Sequence, residues 1–284
     1  MHDNMISYLL YRFASSLAGV LSRTSSTRIA AAIAFLFFTF KPAIRRNVRT
    51  NFERLGLPGR PAFPVFRNFS LTVTDLLRLS HMSREELGNL CTVRGIENLE
   101  RARKKGRGAI LVAPHLGPWE IAGAYISSLG YGMHTIALEH PSARVTRFFS
   151  AIRKNWSFTD YPLRSSAVGL TKALARGELV VLLIDRNFSR RGMRLRFLGR
   201  DVLLPDGHIT LSLRSGAPLV PCCSYYTAPG AIEIVIGEEI DTTAHNGSAA
   251  AIGNACLERI EEFVRRHPDQ WFAFDHLWEE TPNA

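Results

Sequence analysis

The sequence is poor in cysteine and lacks the short motifs of several common enzyme classes. None of its four cysteines lies in a C-x-x-C pair, which argues against a zinc knuckle and a disulfide framework and favours a reducing compartment. The chain contains no G-x-S-x-G, H-x-x-x-H, G-x-G-x-x-G or P-loop sequence. We therefore expect no serine-hydrolase nucleophile, no metal ion and no dinucleotide or nucleoside triphosphate in the site.

Acidic residues are scarce at the beginning of the chain. Residues 1–60 contain nine Lys and Arg but only two acids, Asp3 and Glu53, so they carry +7 of the +10 net charge. The same stretch holds the longest apolar runs, which nucleic-acid-binding arms lack and membrane-surface segments need. We therefore predict an anionic membrane surface as a partner and no nucleic acid.

No apolar run in this stretch is long enough to cross a bilayer. Residues 29–40 carry no charge but span only about 18 Å as a helix, against about 30 Å of hydrocarbon. Residues 6–21 show apolar side chains at helical spacing, and Arg45, Arg46 and Arg49 can meet lipid headgroups. We predict that residues 1–60 form a basic, helical membrane-associating region. A buried helical hairpin of a soluble domain is the alternative, and whether residues 29–40 enter the bilayer stays open.

The remaining chain, residues 61–284, shows no internal repeat and no Gly/Ser linker, which indicates one domain. Residues 109–113 and 179–184 are continuous apolar runs typical of buried parallel strands, and a helical pattern lies between them. Alternation of this kind predicts an α/β fold with a central, partly parallel sheet flanked by helices. Further strands are predicted at 193–197, 219–226 and 232–236, with helices at 167–176, 207–215 and 249–266.

The loop after the first buried strand carries the residues with the clearest chemistry. Open α/β sheets bind ligands beyond the carboxyl ends of their strands, and His115 lies at such an end. Glu120 falls in the first turn of the next helix, close enough in sequence to reach back to the imidazole. A carboxylate on one ring nitrogen leaves the other free to act as a general base. The alternatives are a structural histidine and a glutamate that only favours the helix amino terminus.

Four stretches of the sequence resemble one enzyme family. The run APHLGPWE at residues 113–120, with its H-x-x-x-x-E core, resembles the catalytic motif of the bacterial lipid A biosynthesis acyltransferases, the lauroyl and myristoyl transferases of the glycerolipid acyltransferase superfamily. GELVVLLIDRN, RLRFLGRDVLLPDGHITLSLRSGAPLVP and HPDQWFAFDHLW are similar to that family in sequence and order. The resemblance covers nearly the whole chain, and the amino-terminal region is its loosest part.

The resemblance implies an O-acyltransferase and places its functional residues. His115 is implied to deprotonate the acceptor hydroxyl, with Glu120 as its orienting carboxylate. Loop amides near Gly117 or a nearby arginine would stabilise the oxyanion. We expect the substrate to be bound by residues among Arg153, Arg164, Asp185 and Arg186.

We therefore expect an enzyme of lipid A or lipopolysaccharide biosynthesis that moves a fatty acyl chain from acyl carrier protein (ACP) or acyl coenzyme A to a hydroxyl of a membrane glycolipid. No cofactor is expected beyond the acyl donor. The expected location is the cytoplasmic face of the bacterial inner membrane, peripheral or shallowly inserted. Three alternatives stay open: acylation of another polar lipid such as a phosphatidylinositol mannoside, a non-catalytic membrane-binding protein, and a thioesterase.

Two further patterns have a functional and a structural interpretation. Six arginines lie between residues 186 and 200 without an acid among them, and they either border the active site or form a solvated face. Aromatic residues at 271, 272, 274 and 278 lie at helical spacing, and we interpret them as core or interfacial packing.

Overall fold

The structure is a computed structural model that describes residues 5–189, 191–228, 230–245, 247–275 and 277–278. The helices in these ranges are α1 (Met5–Val20), α2 (Arg23–Phe40), α3 (Pro42–Arg54), α4 (Phe63–Arg78), α5 (Arg84–Leu90), α6 (Ile96–Arg103), α7 (Trp119–Ser128), α8 (Ala143–Asn155), α9 (Ser166–Ala175), α10 (Gly207–Ser215) and α11 (Ala249–Arg266). The strands are β1 (Cys91–Arg94), β2 (Ala109–Ala113), β3 (Met133–Ala137), β4 (Phe158–Pro162), β5 (Leu179–Leu183), β6 (Met193–Phe197), β7 (Arg200–Leu204), β8 (Leu219–Ala228) and β9 (Ala231–Ile236).

Seven of these strands form one mostly parallel sheet in the order β1-β9-β8-β2-β5-β3-β4. Only the hairpin of β8 and β9 pairs antiparallel within it. The strands β6 and β7 form a separate antiparallel pair. The predicted α/β fold with a partly parallel sheet and a helical amino-terminal part is confirmed.

The two buried strands predicted from apolar runs lie side by side at the centre of the sheet. Their register pairs Ala113 of β2 with Leu183 of β5. Two residues further along each chain come His115 and Asp185, so the parallel register brings these two side chains to the same edge of the sheet.

Helices cover both faces of the sheet, and alternate residues of β2 pack against different helices. Ile110 and Val112 belong to the hydrophobic cluster that includes α9, α10 and α11. Leu111 and Ala113 belong to the cluster that includes α7 and α8. Burial on both faces explains why β2 reads as a continuous apolar run.

The amino-terminal helices pack on the α/β body, with α4 in contact with both α1 and α2. Asn51 of α3 donates to the carbonyl of Ala273 at 2.6 Å, and Arg23 of α2 forms an ion pair with Asp75 of α4 at 2.6 Å. Helices continue from here to Leu90 before the first strand begins. The predicted domain boundary at residue 60 stays a prediction.

The helices α1 and α2 turn small residues inward and large apolar residues outward. The buried positions are Ser15 and Ala18 on α1, and Ser26, Ala30 and Ala34 on α2. The exposed large side chains are Met5, Ile6, Leu9, Leu10, Phe13, Leu17 and Val20 on α1, and Ile29, Ile33, Phe35, Leu36, Phe37 and Phe40 on α2. We call these exposed residues the outer apolar surface. Within the described ranges, no single helix has the length and apolarity to cross a membrane, although α2 and α3, bent by 95° at their junction, meet that criterion as a pair.

Candidate active site

The candidate active site lies at the carboxyl edge of β2 and β5. The loop that follows β2 is held by backbone contacts to the carboxyl-terminal segment: the amide of Gly117 donates to the carbonyl of Gln270, and that of Phe272 donates to the carbonyl of His115. Gly117 has φ +58°, and a Cβ there would collide with the carbonyl of Ser224 on β8. This position therefore requires glycine in order to keep His115 in place.

The carboxylate that contacts the His115 ring is that of Asp185. Nδ1 of His115 lies 2.7 Å from Oδ1 of Asp185, and the backbone amide of His115 donates to both carboxylate oxygens at 3.0 Å. Nε1 of Trp271 donates to Oδ2 at 2.7 Å. Asp185 is completely buried. Its carboxylate therefore fixes both the ring orientation and the backbone of the loop.

The pKa of Asp185 lies below its ordinary value despite this burial. Desolvation alone would raise the pKa, but it is outweighed by the charge of His115 and by the hydrogen bonds from His115 and Trp271. Asp185 is consequently ionised at neutral pH. An ionised carboxylate on Nδ1 stabilises the imidazolium and leaves Nε2 to accept a proton.

The prediction that the carboxylate of Glu120 contacts and orients the His115 ring is wrong. Glu120 binds the guanidinium of Arg153 on α8 through both oxygens, at 2.6 and 2.9 Å. Closeness in sequence suggested the wrong partner because Glu120 lies in the first turn of α7, where its side chain meets α8. The strand register instead supplies Asp185 from 70 residues away.

Arg153 forms a largely buried ion pair with Glu120. Its second carboxylate partner is Asp160 of β4 at 3.4 Å, and Ser150 donates to the same Asp160 oxygen at 2.7 Å. Burial lowers the pKa of Arg153, but the charges and hydrogen bonds of Glu120 and Asp160 raise it further, so the net shift is upward. Both Glu120 and Arg153 line the cavity described below. The pair therefore presents a fixed polar wall to any bound substrate.

The other predicted substrate-binding residues lie in three different environments. Arg186 lines the cavity, bonds the carbonyl of Phe272 at 3.3 Å and forms an ion pair with Asp275. Arg164 is exposed in the short turn Leu163–Ser165 and is not part of the cavity wall. Asp185 is buried behind His115, so the prediction that it binds substrate directly is wrong, and its contact is with the base.

A cavity of about 680 Å³ is lined by His115. Its interior lies between the sheet and α7 and is largely apolar, lined for example by Leu111, Ile126, Met133, Phe158, Val181 and Leu183. The volume falls within the range of about 300–1,000 Å³ that is usual for ligand pockets. Polar groups, among them His115, Glu120 and Arg153, gather at the carboxyl edge of the sheet. The cavity thus combines a base at one end with an apolar interior.

Two of the arginines in the 186–200 segment line the cavity, Arg186 and Arg191, while Arg190 lies outside the described residues. The ring of Phe188 from the same loop lies 5.9 Å from the His115 ring. The guanidinium of Arg186 lies over the Phe188 ring, 4.7 Å from its centroid. The segment therefore borders the site at its beginning, as one of the two interpretations of the sequence expected.

Sequence reasoning missed the hydrogen bond from Trp271 to Asp185. The sequence pattern places the aromatic residues near the carboxyl terminus on one face of a helix, but Trp271 is extended and pairs with Leu116. Phe272 is buried and donates its amide to the carbonyl of His115. The signal available was the similarity of the HPDQWFAFDHLW run to a known family. Nothing in the sequence marked Asp160 as a partner of Arg153.

Comparison with known proteins assigns the chain to a family. A profile described as bacterial lipid A biosynthesis acyltransferase matches residues 2–280. The chain belongs to this family. Its similar relatives include a phosphatidylinositol mannoside acyltransferase of Mycolicibacterium smegmatis, 28% identical over 72% of this chain and 67% of that protein. Another is the lipid A biosynthesis palmitoleoyltransferase of Escherichia coli, 25% identical over 67% of this chain and 62% of that protein.

The matched region covers about two thirds of the length of these curated relatives. The predicted family resemblance is confirmed, and so is the prediction of an O-acyltransferase, because every relative named here is an acyltransferase. The lipid A acyltransferase family contains relatives named for two different acceptor lipids. Membership therefore leaves the acceptor of this chain to be proposed.

Proposed function

We propose that this family member transfers a fatty acyl chain from a carrier thioester to a hydroxyl group of a membrane lipid, a glycolipid of the lipid A precursor type. The observation that carries the proposal is the His115–Asp185 pair at 2.7 Å, which faces an apolar cavity of about 680 Å³. A base with an orienting carboxylate suits deprotonation of an alcohol, and an apolar interior suits an acyl chain.

In the proposed mechanism, Nε2 of His115 takes the proton of the acceptor hydroxyl as its oxygen attacks the thioester carbonyl carbon. Asp185 stabilises the resulting imidazolium through Nδ1. The tetrahedral intermediate collapses, the carbon–sulfur bond breaks, and the departing thiolate receives the proton from His115. The acceptor oxygen attacks the thioester directly in this scheme, so the scheme includes no acyl-enzyme. It also needs no cofactor besides the donor, because the base and its carboxylate are side chains of the chain itself.

The oxyanion of the intermediate needs hydrogen-bond donors, and the loop amides are already engaged. The amide of Leu116 donates to Pro114, and that of Gly117 donates to Gln270. Arg186 lines the cavity, and its buried Nε has no hydrogen-bond partner among the described residues. Of the two sources of donors that the sequence left open, loop amides and a nearby arginine, we therefore assign the oxyanion to the arginine, Arg186.

The acceptor and donor are tested together by incubating purified protein and bacterial membranes with labelled acyl-ACP or acyl coenzyme A, followed by mass spectrometry of the labelled lipid. The proposal predicts a labelled lipid A precursor from the wild type and none from His115→Ala. Free fatty acid without acylated lipid would contradict the proposal and indicate a thioesterase. Full activity of His115→Ala in cells, with loss on charge reversal at Arg45, Arg46 and Arg49, would indicate a non-catalytic membrane-binding protein.

A second candidate acceptor is a phosphatidylinositol mannoside. The observation that favours it is the 28% identity to the Mycolicibacterium smegmatis enzyme, against 25% to the Escherichia coli one. The same labelling experiment with phosphatidylinositol mannoside in the membranes distinguishes the two. Labelled mannoside without labelled lipid A precursor would replace the first acceptor by the second and leave the reaction type unchanged.

We also propose that the protein binds the cytoplasmic face of the inner membrane peripherally through the outer apolar surface. Exposed apolar patches of this extent mark interaction sites, and exposed Arg46 and Arg49 add attraction to anionic lipid. The helix α1 also contacts the cavity wall, since the Tyr11 ring lies 6.5 Å from that of His140. A membrane at α1 would therefore be close to the cavity that receives its lipids.

The membrane proposal is tested by sedimentation with vesicles that contain anionic lipid. Phe13→Glu combined with Ile33→Glu should release the protein into the supernatant, because both side chains are exposed and charge opposes insertion. The matched control is Val168→Glu, an equally exposed apolar position on α9. Equal release by the control, or no release by the double variant, would contradict a role for the outer apolar surface.

A further inference from the structure

Unpartnered polar atoms are concentrated on the wall of the cavity. Among the described residues, eight buried side-chain nitrogen and oxygen atoms have no hydrogen-bond partner, and four of these belong to residues that line the cavity. The four are both ring nitrogens of His208, Oγ of Ser224 and Nε of Arg186. A buried polar atom without a partner costs free energy, so four such atoms on residues that line one cavity point to a ligand.

His208 contributes two of the four atoms and is the least expected residue in this position. It is the second residue of α10 and is only 2% exposed. The helix leads into β8, which runs parallel to β2, so α10 begins at the edge of the sheet where His115 lies. Residues 205–208 accordingly line the same cavity.

The other strongly buried histidine shows what a structural role looks like in this protein. His134 is 6% exposed, but its Nε2 lies 2.9 Å from Glu178 and its Nδ1 lies 3.2 Å from the hydroxyl of Tyr161. Both of its ring nitrogens are satisfied within the fold. His208 is buried more deeply and has neither contact, so packing alone does not explain its ring nitrogens.

The chemistry of the missing partner follows from the state of the ring. Burial lowers the pKa of His208 to about 4, and the nearby carbonyl of Pro205 acts in the opposite direction. Neither ring nitrogen meets that carbonyl with the geometry of a hydrogen bond. The ring is therefore neutral, with one N–H donor and one acceptor nitrogen. The neighbouring cavity residue Asp206 disfavours an anion. A hydroxyl or an amide group, which can donate and accept, matches this wall.

We propose that His208 is a positioning residue that hydrogen-bonds an uncharged hydroxyl or amide group of a substrate in the cavity. The proposal rests on the acyltransferase function, which offers two sources of such a group. The acceptor lipid supplies sugar hydroxyls, and the carrier arm of the acyl donor supplies amides. His208 then contributes to the affinity for one substrate and takes no part in proton transfer.

The experiment compares the wild-type protein with His208→Phe, His208→Leu and His208→Gln in the full chain. Thermal unfolding is measured for each, and KM and kcat are measured with the acyl donor varied and with the acceptor varied. The matched control is His134→Phe, which removes a buried imidazole that has protein partners. Loss of one neutral hydrogen bond should raise one KM about three- to tenfold.

The proposal predicts that His208→Phe or His208→Leu unfolds no earlier than the wild type, while one KM rises and kcat changes less than twofold. His208→Gln should recover part of the affinity, and His134→Phe should lower the unfolding temperature. A rise in the KM for the acceptor identifies the sugar hydroxyl, and a rise for the donor identifies the amide. Unchanged KM values for both substrates, or earlier unfolding of both apolar variants, would overturn the proposal.

A binding measurement separates this inference from the proposed function. The shift in unfolding temperature is recorded with palmitoyl coenzyme A alone, and with a lipid A precursor or phosphatidylinositol mannoside in phosphatidylcholine vesicles alone, so no turnover is needed. If the wild type transfers no acyl group, the proposed function fails, but a shift that His208→Leu reduces still supports the site. Equal shifts in the wild type and His208→Leu overturn the site even where acyl transfer occurs.

Discussion

At the scale of single residues, the buried carboxylate of Asp185 and the mostly buried carboxylate of Glu120 bind two different basic side chains at the site. Asp185 binds the ring and the backbone of His115, while Glu120 binds the guanidinium of Arg153. The first pair fixes the orientation of His115, and the second fixes a wall of the cavity. Because the two pairs are separate, removal of each carboxylate should have a different consequence.

The Trp271 bond to Asp185 should be measurable in stability. Trp271→Phe removes a donor at 2.7 Å from a buried carboxylate, which should reduce the free energy of unfolding by about 2 kcal/mol at pH 7. The lowered pKa of Asp185 stabilises the fold above about pH 3.8, the ordinary value, and this contribution is lost as pH falls through the lower folded value. The difference in free energy of unfolding between the wild type and Trp271→Phe should therefore become smaller at acid pH.

Trp278→Phe is the control for this measurement, because Nε1 of Trp278 is buried without a partner. It should leave the free energy of unfolding unchanged or slightly raised. An equal loss in both tryptophan variants would indicate lost packing and would remove the support for a functional Trp271 bond.

Loss of Glu120 should destabilise the protein more than loss of an exposed glutamate. The side chains of Glu120 and Arg153 are only 12% and 13% exposed, so Glu120→Ala leaves a mostly buried charge with Asp160 as its remaining partner. We expect a loss of about 3 kcal/mol by chemical denaturation. Glu262→Ala breaks an exposed pair with Arg259 and should cost at most about 1 kcal/mol. Similar losses would mean that the Glu120–Arg153 pair is not structural.

At the scale of elements, the loop between β2 and α7 positions the base through backbone contacts. Gly117→Ala should reduce kcat strongly, because a Cβ in this left-handed position meets the carbonyl of Ser224 and displaces His115. Gly177→Ala is the control, since Gly177 also has positive φ, +76°, but open space around it. The control should lose about 1 kcal/mol of stability and keep its kcat. Equal kcat values for both variants would contradict the role of this loop.

The amino-terminal helices show which properties a periodic pattern can predict. Apolar spacing in residues 6–21 predicted a helix with an apolar face, and α1 has this form. The pattern does not say which face packs on the body, and the structure buries Ser15 and Ala18 while exposing Phe13 and Leu10. The orientation depends on contacts with α4, which lie far away in sequence.

At the scale of the whole molecule, deprotonated buried groups should make the fold sensitive to acid. Folded His208 has a pKa of about 4, whereas the unfolded residue titrates near 6.5, so protons favour the unfolded chain between these values. The free energy of unfolding should fall as pH falls from about 6.5 to 4. His208→Leu should make the free energy of unfolding less dependent on pH in this range. The measurement is the difference in free energy of unfolding between wild type and variant, obtained by urea unfolding at each pH. A difference independent of pH would contradict a neutral, buried His208.

The sequence predicted four strands of the seven-stranded sheet, β2, β5, β8 and β9, but only one member of the His115–Asp185 pair. Continuous apolar runs located β2 and β5 because both strands are buried on both faces. Strand β3 escaped prediction because only Met133 and His134 in it are fully buried. His115 was located by its place after a strand, but its partner Asp185 was assigned to substrate because register between distant strands is not visible in local sequence.

The most direct test of the account measures kcat for acyl transfer by His115→Ala, Asp185→Asn and the double variant. If the two residues act as one unit, each single change should reduce kcat by about 10²–10⁴, and the double variant should lose no more than His115→Ala alone. Wild-type kcat in Asp185→Asn, or losses that multiply in the double variant, would contradict the claim that Asp185 holds the catalytic base.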